Sequence, residues 1–395
     1  MPTSQTLPPQ PSLEQLKKQA KTLLKAHQSG NHETISRLRS MVPKLALASD
    51  AEILAAKFSL LDAQFVIARE YGYDSWNPFA LALLAETHKD KEFVQGAFGH
   101  NLSPAVVDHI VSNPDMISQL DGEERVMTAF FSDIARFSTI SQCLTPTELV
   151  NFLNEYLSEM CDIIEKYNGT IDKFEGDAIV AFFGAPIYFE DHALRATLAC
   201  IDQQKKLVEL RRRWKADASL PPSVQQLWKR WEEEGLVFVK VRMGMASGPM
   251  VVGNMGSRNR PDYTMMGDTV NLAARFESGQ KIYGTSIMVN EVIYEQVQDQ
   301  VETRKLDLIK VLGQEEPVTA YEVLDRKGEL SPEKCEVLEL YAQGMKAYEA
   351  FHFAEAQDLF ERALQADPQD GPSTLYVDRC KSYAVAPPAD LIFRA

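Results

Sequence analysis

The order of strand-like and helical stretches predicts an α+β fold, with a central sheet and helical segments before and after it. Three observations predict it. Residues 126–137 (VMTAFFSDIARF) and 237–246 (VFVKVRMGMA) are apolar, β-branched and aromatic runs of strand length. Between them, residues 170–184 (TIDKFEGDAIVAFFG) read as a tight hairpin, two strand-like runs joined at Glu175-Gly176 with Asp177 following. Helix-length amphipathic stretches separate the hairpin from the runs on either side, giving the order β-α-β-β-α-β.

At 395 residues, 45% apolar and 25% charged, the chain is an ordinary globular one with room for two or three domains. Its formal charge of −15 argues against nucleic acid or an anionic membrane surface as a partner. A polyphosphate substrate would therefore have to be drawn in by local cations. The five cysteines are widely spaced and lack CxxC pairing, which fits reduced thiols in a cytoplasmic protein. No apolar run approaches the length of a membrane span, and the first residues lack a signal-peptide core.

Taken in order, residues 1–11 are rich in Pro and Gln and read as a disordered leader. Residues 12–90 form a helical N-terminal domain. Ser12 caps a helix with Leu13, Leu16, Ala20, Leu23 and Leu24 on one face, and Gly30 stops it. Further helices are expected near 32–40, 50–71 and 76–89, and residues 91–124 are a connector. The α+β domain covers 125–325. Thr145-Pro146-Thr147-Glu148 is a capping box with Pro at the first helical position. The helix it opens turns Val150, Leu153, Leu157, Met160 and Ile164 inward. A second helix starts near Asp191, and a charged insertion over 211–234 is anchored by Trp214, Trp228 and Trp231. Residues 248–256 are Gly-rich, with Gly253–Gly256 read as a turn between strands. Asp268 is expected to cap a helix running through Lys281. Short strands near 287–289, 306–311 and 318–323 complete a ferredoxin-like domain with an added tail. In 330–395, Leu340, Tyr341, Gly344, Tyr348, Ala356 and Phe360 follow the spacing of one tetratricopeptide-like (TPR-like) hairpin, which needs a neighbour to cover its apolar face.

Asp133 ends one strand-like run and Asp177 sits at the hairpin tip. Either alone also reads as a turn Asp capping its own backbone. Together, two carboxylates delivered by two strand ends suit a pair of hard divalent cations. FSDIARFS, IDKFEGDAIVAFFG, SGPMVVGNMGS and YTMMGDTVNLAARFE, in that order, resemble the class III nucleotidyl cyclases over roughly residues 125–324.

That resemblance implies cyclisation of ATP to 3′,5′-cyclic AMP and pyrophosphate by a homodimer with composite sites. It implies two Mg²⁺ ions, with Mn²⁺ able to substitute, held by Asp133, Asp177 and the backbone carbonyl of Ile134. Asn271 and Arg275, four apart on one helix face, would meet the ribose and the α-phosphate. Lys173 and Thr264 would meet the base. An ammonium only donates, which suits the acceptor ring nitrogen of adenine, whereas guanine carries an N–H there. A hydroxyl both accepts and donates, so Thr264 discriminates less. The Lys/Thr pair resembles a bacterial and soluble-cyclase branch, some of whose members respond to bicarbonate. Where related chains carry a lysine before a late-strand glycine, this one has Leu312 before Gly313; Lys310, or Lys305, is the substitute contact for the terminal phosphates. The helical flanks suit a regulatory protein or small-molecule partner.

A guanylyl cyclase is the nearest rival, disfavoured by Lys173. A catalytically weak scaffold binding through its helical ends would lack the chemical residues, which are all present here. Glu175-Gly176-Asp177-Ala178 is not a diguanylate-cyclase turn, and no GxxxxGK[ST] phosphate loop occurs.

Overall fold

The computed structural model describes residues 13–77, 80, 122–217, 220–257, 260–310 and 316–394. The leader, residues 81–121 of the expected helix and connector, and Leu312 with Gly313 lie outside the described residues. The chain divides into two compact units, Met1–Asp121 and Gly122–Ala395.

In the first unit, α1 (Leu13–Gln28), α2 (Glu33–Met41), α3 (Asp50–Ala55) and α4 (Leu60–Glu70) enclose Leu16, Leu23, Leu38, Ile53 and Val66. The single helix expected over 50–71 is two helices. Ser49 with Glu52 and Ser59 with Asp62 each form a capping box, so the chain starts afresh at Ser59.

The second unit opens with β1 (Glu123–Ile134), α5 (Phe137–Ser141), α6 (Pro146–Lys166), β2 (Thr170–Glu175), β3 (Ala178–Phe183) and α7 (His192–Ala216). It continues with α8 (Pro222–Glu233), β4 (Val241–Ser257), β5 (Arg260–Met266), α9 (Asp268–Tyr283), β6 (Ile287–Asn290) and α10 (Glu291–Val297). It closes with β7 (Val301–Lys310), β8 (Val318–Arg326), α11 (Pro332–Glu349), α12 (Phe353–Ala366), α13 (Gly371–Val385) and β9 (Ile392–Arg394). The sheet order is β2-β3-β1-β4-β6-β8-β7-β9, with β5 paired to β4. β4 and β6 are parallel, as are β7 and β9.

Alternation along β4 separates the two faces of the sheet. Met243 and Met245 join the core built from α6, α7 and α8, including Met160, Cys200, Trp214, Trp228 and Trp231. Gly244 faces the other way, against α9. A Cβ there would lie 2.1 Å from the backbone N of Glu277, so only glycine lets α9 approach this closely. Gln280 of α9 donates to the Met243 carbonyl at 2.7 Å and locks the contact.

Thr145 and Glu148 form the expected capping box with Pro146 in the first turn of α6. Met160 and Ile164 face the core as expected and Leu157 packs against it, but Val150 does not. Val150 is 55% exposed, while Tyr156, Met160, Ile163 and Ile164 are buried. The segment 253–256 is not a turn: β4 runs through it and pairs with β5, Gly253 opposite Thr264 and Gly256 opposite Pro261. Continuous ladder pairing outweighs the turn preference of its glycines.

The C-terminal segment carries three helices and a strand, and it packs within the second unit. Leu340, Tyr341, Tyr348, Ala356 and Phe360 form its own core with Tyr376. Arg304 of β7 makes a two-pronged ion pair with Asp370 at 2.8 Å on each arm. Arg379 pairs with Asp307 at 2.7 Å, and Tyr376 donates to the Leu306 carbonyl.

Candidate active site

The hairpin of β2 and β3 turns at Gly176-Asp177, with Glu175 opposite Ala178. Gly176 has φ +70°, which a glycine reaches without strain and which two-residue hairpin turns need. β3 lies beside β1 with Ser132 opposite Ile179, so the hairpin tip and the end of β1 arrive at the same place. Asp177 and Asp133 come within hydrogen-bonding reach of each other. Asp177 also accepts from the backbone N–H of Ile134 at 3.0 Å. Burial first, then the Asp133 carboxylate, push the Asp177 carboxyl up to about 7, against the stabilising pull of the Ile134 N–H.

Arg242 was not anticipated. It stands opposite Asp133 in the β1–β4 ladder and donates to its Oδ2. Its Nε lies 2.9 Å from Glu277 on α9, so one guanidinium joins the carboxylate pair to that helix. A charged side chain in the middle of the apolar run VFVKVRMGMA was the available signal, since a half-buried arginine needs a partner.

Asn271 and Arg275 lie on the exposed face of α9. Gly267 occupies the N-cap and Asp268 is the first helical residue with no capping hydrogen bond, contrary to the expected role of Asp268. A carboxylate in the first turn still complements the helix dipole.

Lys173 and Thr264 meet at a common carboxylate. Thr264 donates to Asp172 at 2.6 Å, and the Lys173 ammonium lies 3.7 Å from the other Asp172 oxygen. Asp172 is only 4% exposed. It too escaped the sequence reading, although a strand aspartate beside Ile171 could have marked an inward-facing charge. Lys310 is exposed at the end of β7. Lys305 is paired with Glu349 of α11 at 2.7 Å, which ties it to the C-terminal helices. Among the described residues, no group of three or more His, Cys, Asp or Glu is arranged to hold a metal ion. All five cysteines are free, and no described helix is long and apolar enough to cross a membrane.

Residues 122–324 match the adenylate and guanylate cyclase catalytic domain. Adenylate cyclase 1 of Rhizobium meliloti is 33% identical over 198 residues, 50% of this chain and 27% of that protein. Adenylate cyclase of Anabaena cylindrica is 33% identical over 202 residues, 50% of this chain and 37% of that protein. The chain thus spans well under half the length of these relatives. The crystal structure of the adenylyl cyclase CyaB from P. aeruginosa is similar at 34% identity and a TM-score of 0.44, covering 54% of this chain and all of that one. With more than half its length matched to the domain, the chain belongs to the class III adenylate and guanylate cyclase family.

Proposed function

We propose that this protein is an adenylate cyclase, converting ATP to 3′,5′-cyclic AMP and pyrophosphate at two equivalent sites of a homodimer. The observation that carries the reading is the meeting of Asp133 and Asp177 at one end of the sheet. Two crowded carboxylates, one with its proton affinity raised by burial and like charge, form an all-oxygen set that suits Mg²⁺, or Mn²⁺ in its place. Asp133, Asp177 and the carbonyl of Ile134 would hold the ions, leaving other positions to substrate and water. Bound divalent cations supply a more acidic ribose 3′-hydroxyl and charge neutralisation of the departing pyrophosphate.

The remaining roles fall to the chain. Lys173 of the partner subunit donates to the acceptor nitrogen of the adenine ring, and Thr264 of the partner subunit meets the exocyclic amine. Asn271 of the partner subunit orients the ribose relative to the carboxylates of the first. Arg275 of the partner subunit donates to the α-phosphate oxygens, where charge builds as the new bond forms. Lys310 is assigned to the terminal phosphates. The strand order β2-β3-β1-β4 supports the ferredoxin-like reading of the core, and the buried α11–α12 hairpin supports the TPR-like one.

The test is turnover by the purified chain with ATP or GTP, in Mg²⁺ or Mn²⁺. Cyclic AMP should form with kcat/KM at least about tenfold above that for cyclic GMP from GTP. Equal or reversed preference overturns the adenylate assignment.

A further inference from the structure

We propose that Asp172 is a positioning residue for base selection: it takes the proton of the Thr264 hydroxyl and so presents that hydroxyl to the base as an acceptor only. The inference rests on the adenylate cyclase reading and deepens it. On its own, threonine is an ambiguous discriminator, because its hydroxyl can accept from the amine of adenine or donate to the carbonyl of guanine. The surroundings of Thr264 remove the ambiguity. Its Oγ1 lies 2.6 Å from Asp172 Oδ2. The Lys173 ammonium lies 3.7 Å from the other oxygen. The carboxylate oxygen accepts from Thr264, so the proton in this hydrogen bond belongs to threonine. A hydroxyl has one proton; with that committed, only lone pairs are left to face a nucleobase. They match the amine at the six-position of adenine and oppose the carbonyl at the same position of guanine or hypoxanthine.

The backbone is shaped for this arrangement. The β2–β3 register passes from Ile171 opposite Ala181 to Lys173 opposite Val180, leaving Asp172 as the extra residue of a bulge. Bulges re-aim side chains. Strict alternation would send Asp172 and Lys173 to opposite faces, whereas here both serve one locus. Asp172 is 4% exposed and Lys173 has a side chain 46% exposed, so the carboxylate is fixed while the ammonium stays available to a ligand.

The experiment compares ATP with inosine triphosphate, which carries a carbonyl at the six-position, in the full chain and in Asp172→Asn. An amide can turn its N–H toward Thr264 and free the hydroxyl to donate. The ATP-to-ITP ratio of kcat/KM should narrow by about tenfold in the variant, through KM, with kcat on ATP little changed. An unchanged ratio, or an equal fall of kcat on both nucleotides, overturns the role of Asp172. Absence of an ATP preference in the unaltered protein overturns the adenylate reading and this inference with it; a preference that keeps its full size in the variant overturns this inference alone. Should Asp172→Asn fail to fold, the Thr264 hydroxyl proton is read in threonine-labelled unaltered protein by NMR. Slow exchange with water supports the proposal, and free exchange contradicts it.

Discussion

At the scale of single residues, the carboxylate pair makes a measurable electrostatic statement. The Asp177 carboxyl rises from an ordinary 3.8 to about 7 because it is buried beside Asp133. A carboxyl whose pKa is raised in the native state holds its proton there after the unfolded chain has released it. The associated stability is therefore complete below the unfolded pKa and is lost as pH rises through the native one. In metal-free protein, the carboxyl ¹³C resonance of Asp177 should titrate near neutrality, and this contribution should fall between 3.8 and about 7. Asp133→Asn removes the like charge, so both the midpoint and the pH at which that fall is complete should move down. A native Asp177 titrating in the ordinary carboxylate range contradicts the geometry of the pair.

At the scale of elements, the packing of α9 against β4 determines whether Asn271 and Arg275 are held where a substrate could meet them. Gly244→Ala places a methyl 2.1 Å from the Glu277 nitrogen and 2.3 Å from the Ala273 carbonyl, both backbone atoms that cannot rotate away. Destabilisation of about 1–3 kcal/mol in urea unfolding is expected, with loss of nucleotide turnover as α9 is displaced. Gly279→Ala is the control, because nothing lies within 4 Å of a Cβ built there. Equal effects of the two changes would show that α9 does not depend on this close approach. Much of this layer was legible in the sequence. Gly176 announced the hairpin, and Thr145-Pro146 with Glu148 announced the start of α6. What was not legible depends on partners distant in sequence. Apolar spacing alone does not settle which face of a helix is buried, hence the exposure of Val150 and the burial of Tyr156. The Gly-rich stretch of β4 became strand because β5 supplies its ladder. Arg242 and Asp172 acquire meaning only once β4 lies beside β1 and β5 reaches β2.

At the scale of the whole molecule, residues 122–394 form one unit in which the C-terminal helices are bound to the sheet by charge as well as by apolar contact. Arg304 and Asp370, buried together, hold α13 against β7, and β9 adds a parallel strand to β7's edge. A buried pair of this kind is costly to break from one side, by about 3–5 kcal/mol. The helices therefore belong to the folded unit rather than to a loosely attached appendage. The proposed catalytic cycle needs a second such unit, because Asp133 and Asp177 of one chain are assigned to work with Asn271 and Arg275 of the other. Complementation tests this division of labour most directly. Asp177→Ala and Arg275→Ala homodimers should each lose turnover by about 100-fold or more. Mixed and reassembled in equal amounts, they should recover about one quarter of wild-type activity, since half the dimers are then mixed and each has one complete site. Verified heterodimers that remain as inactive as the parents would contradict a site shared between subunits.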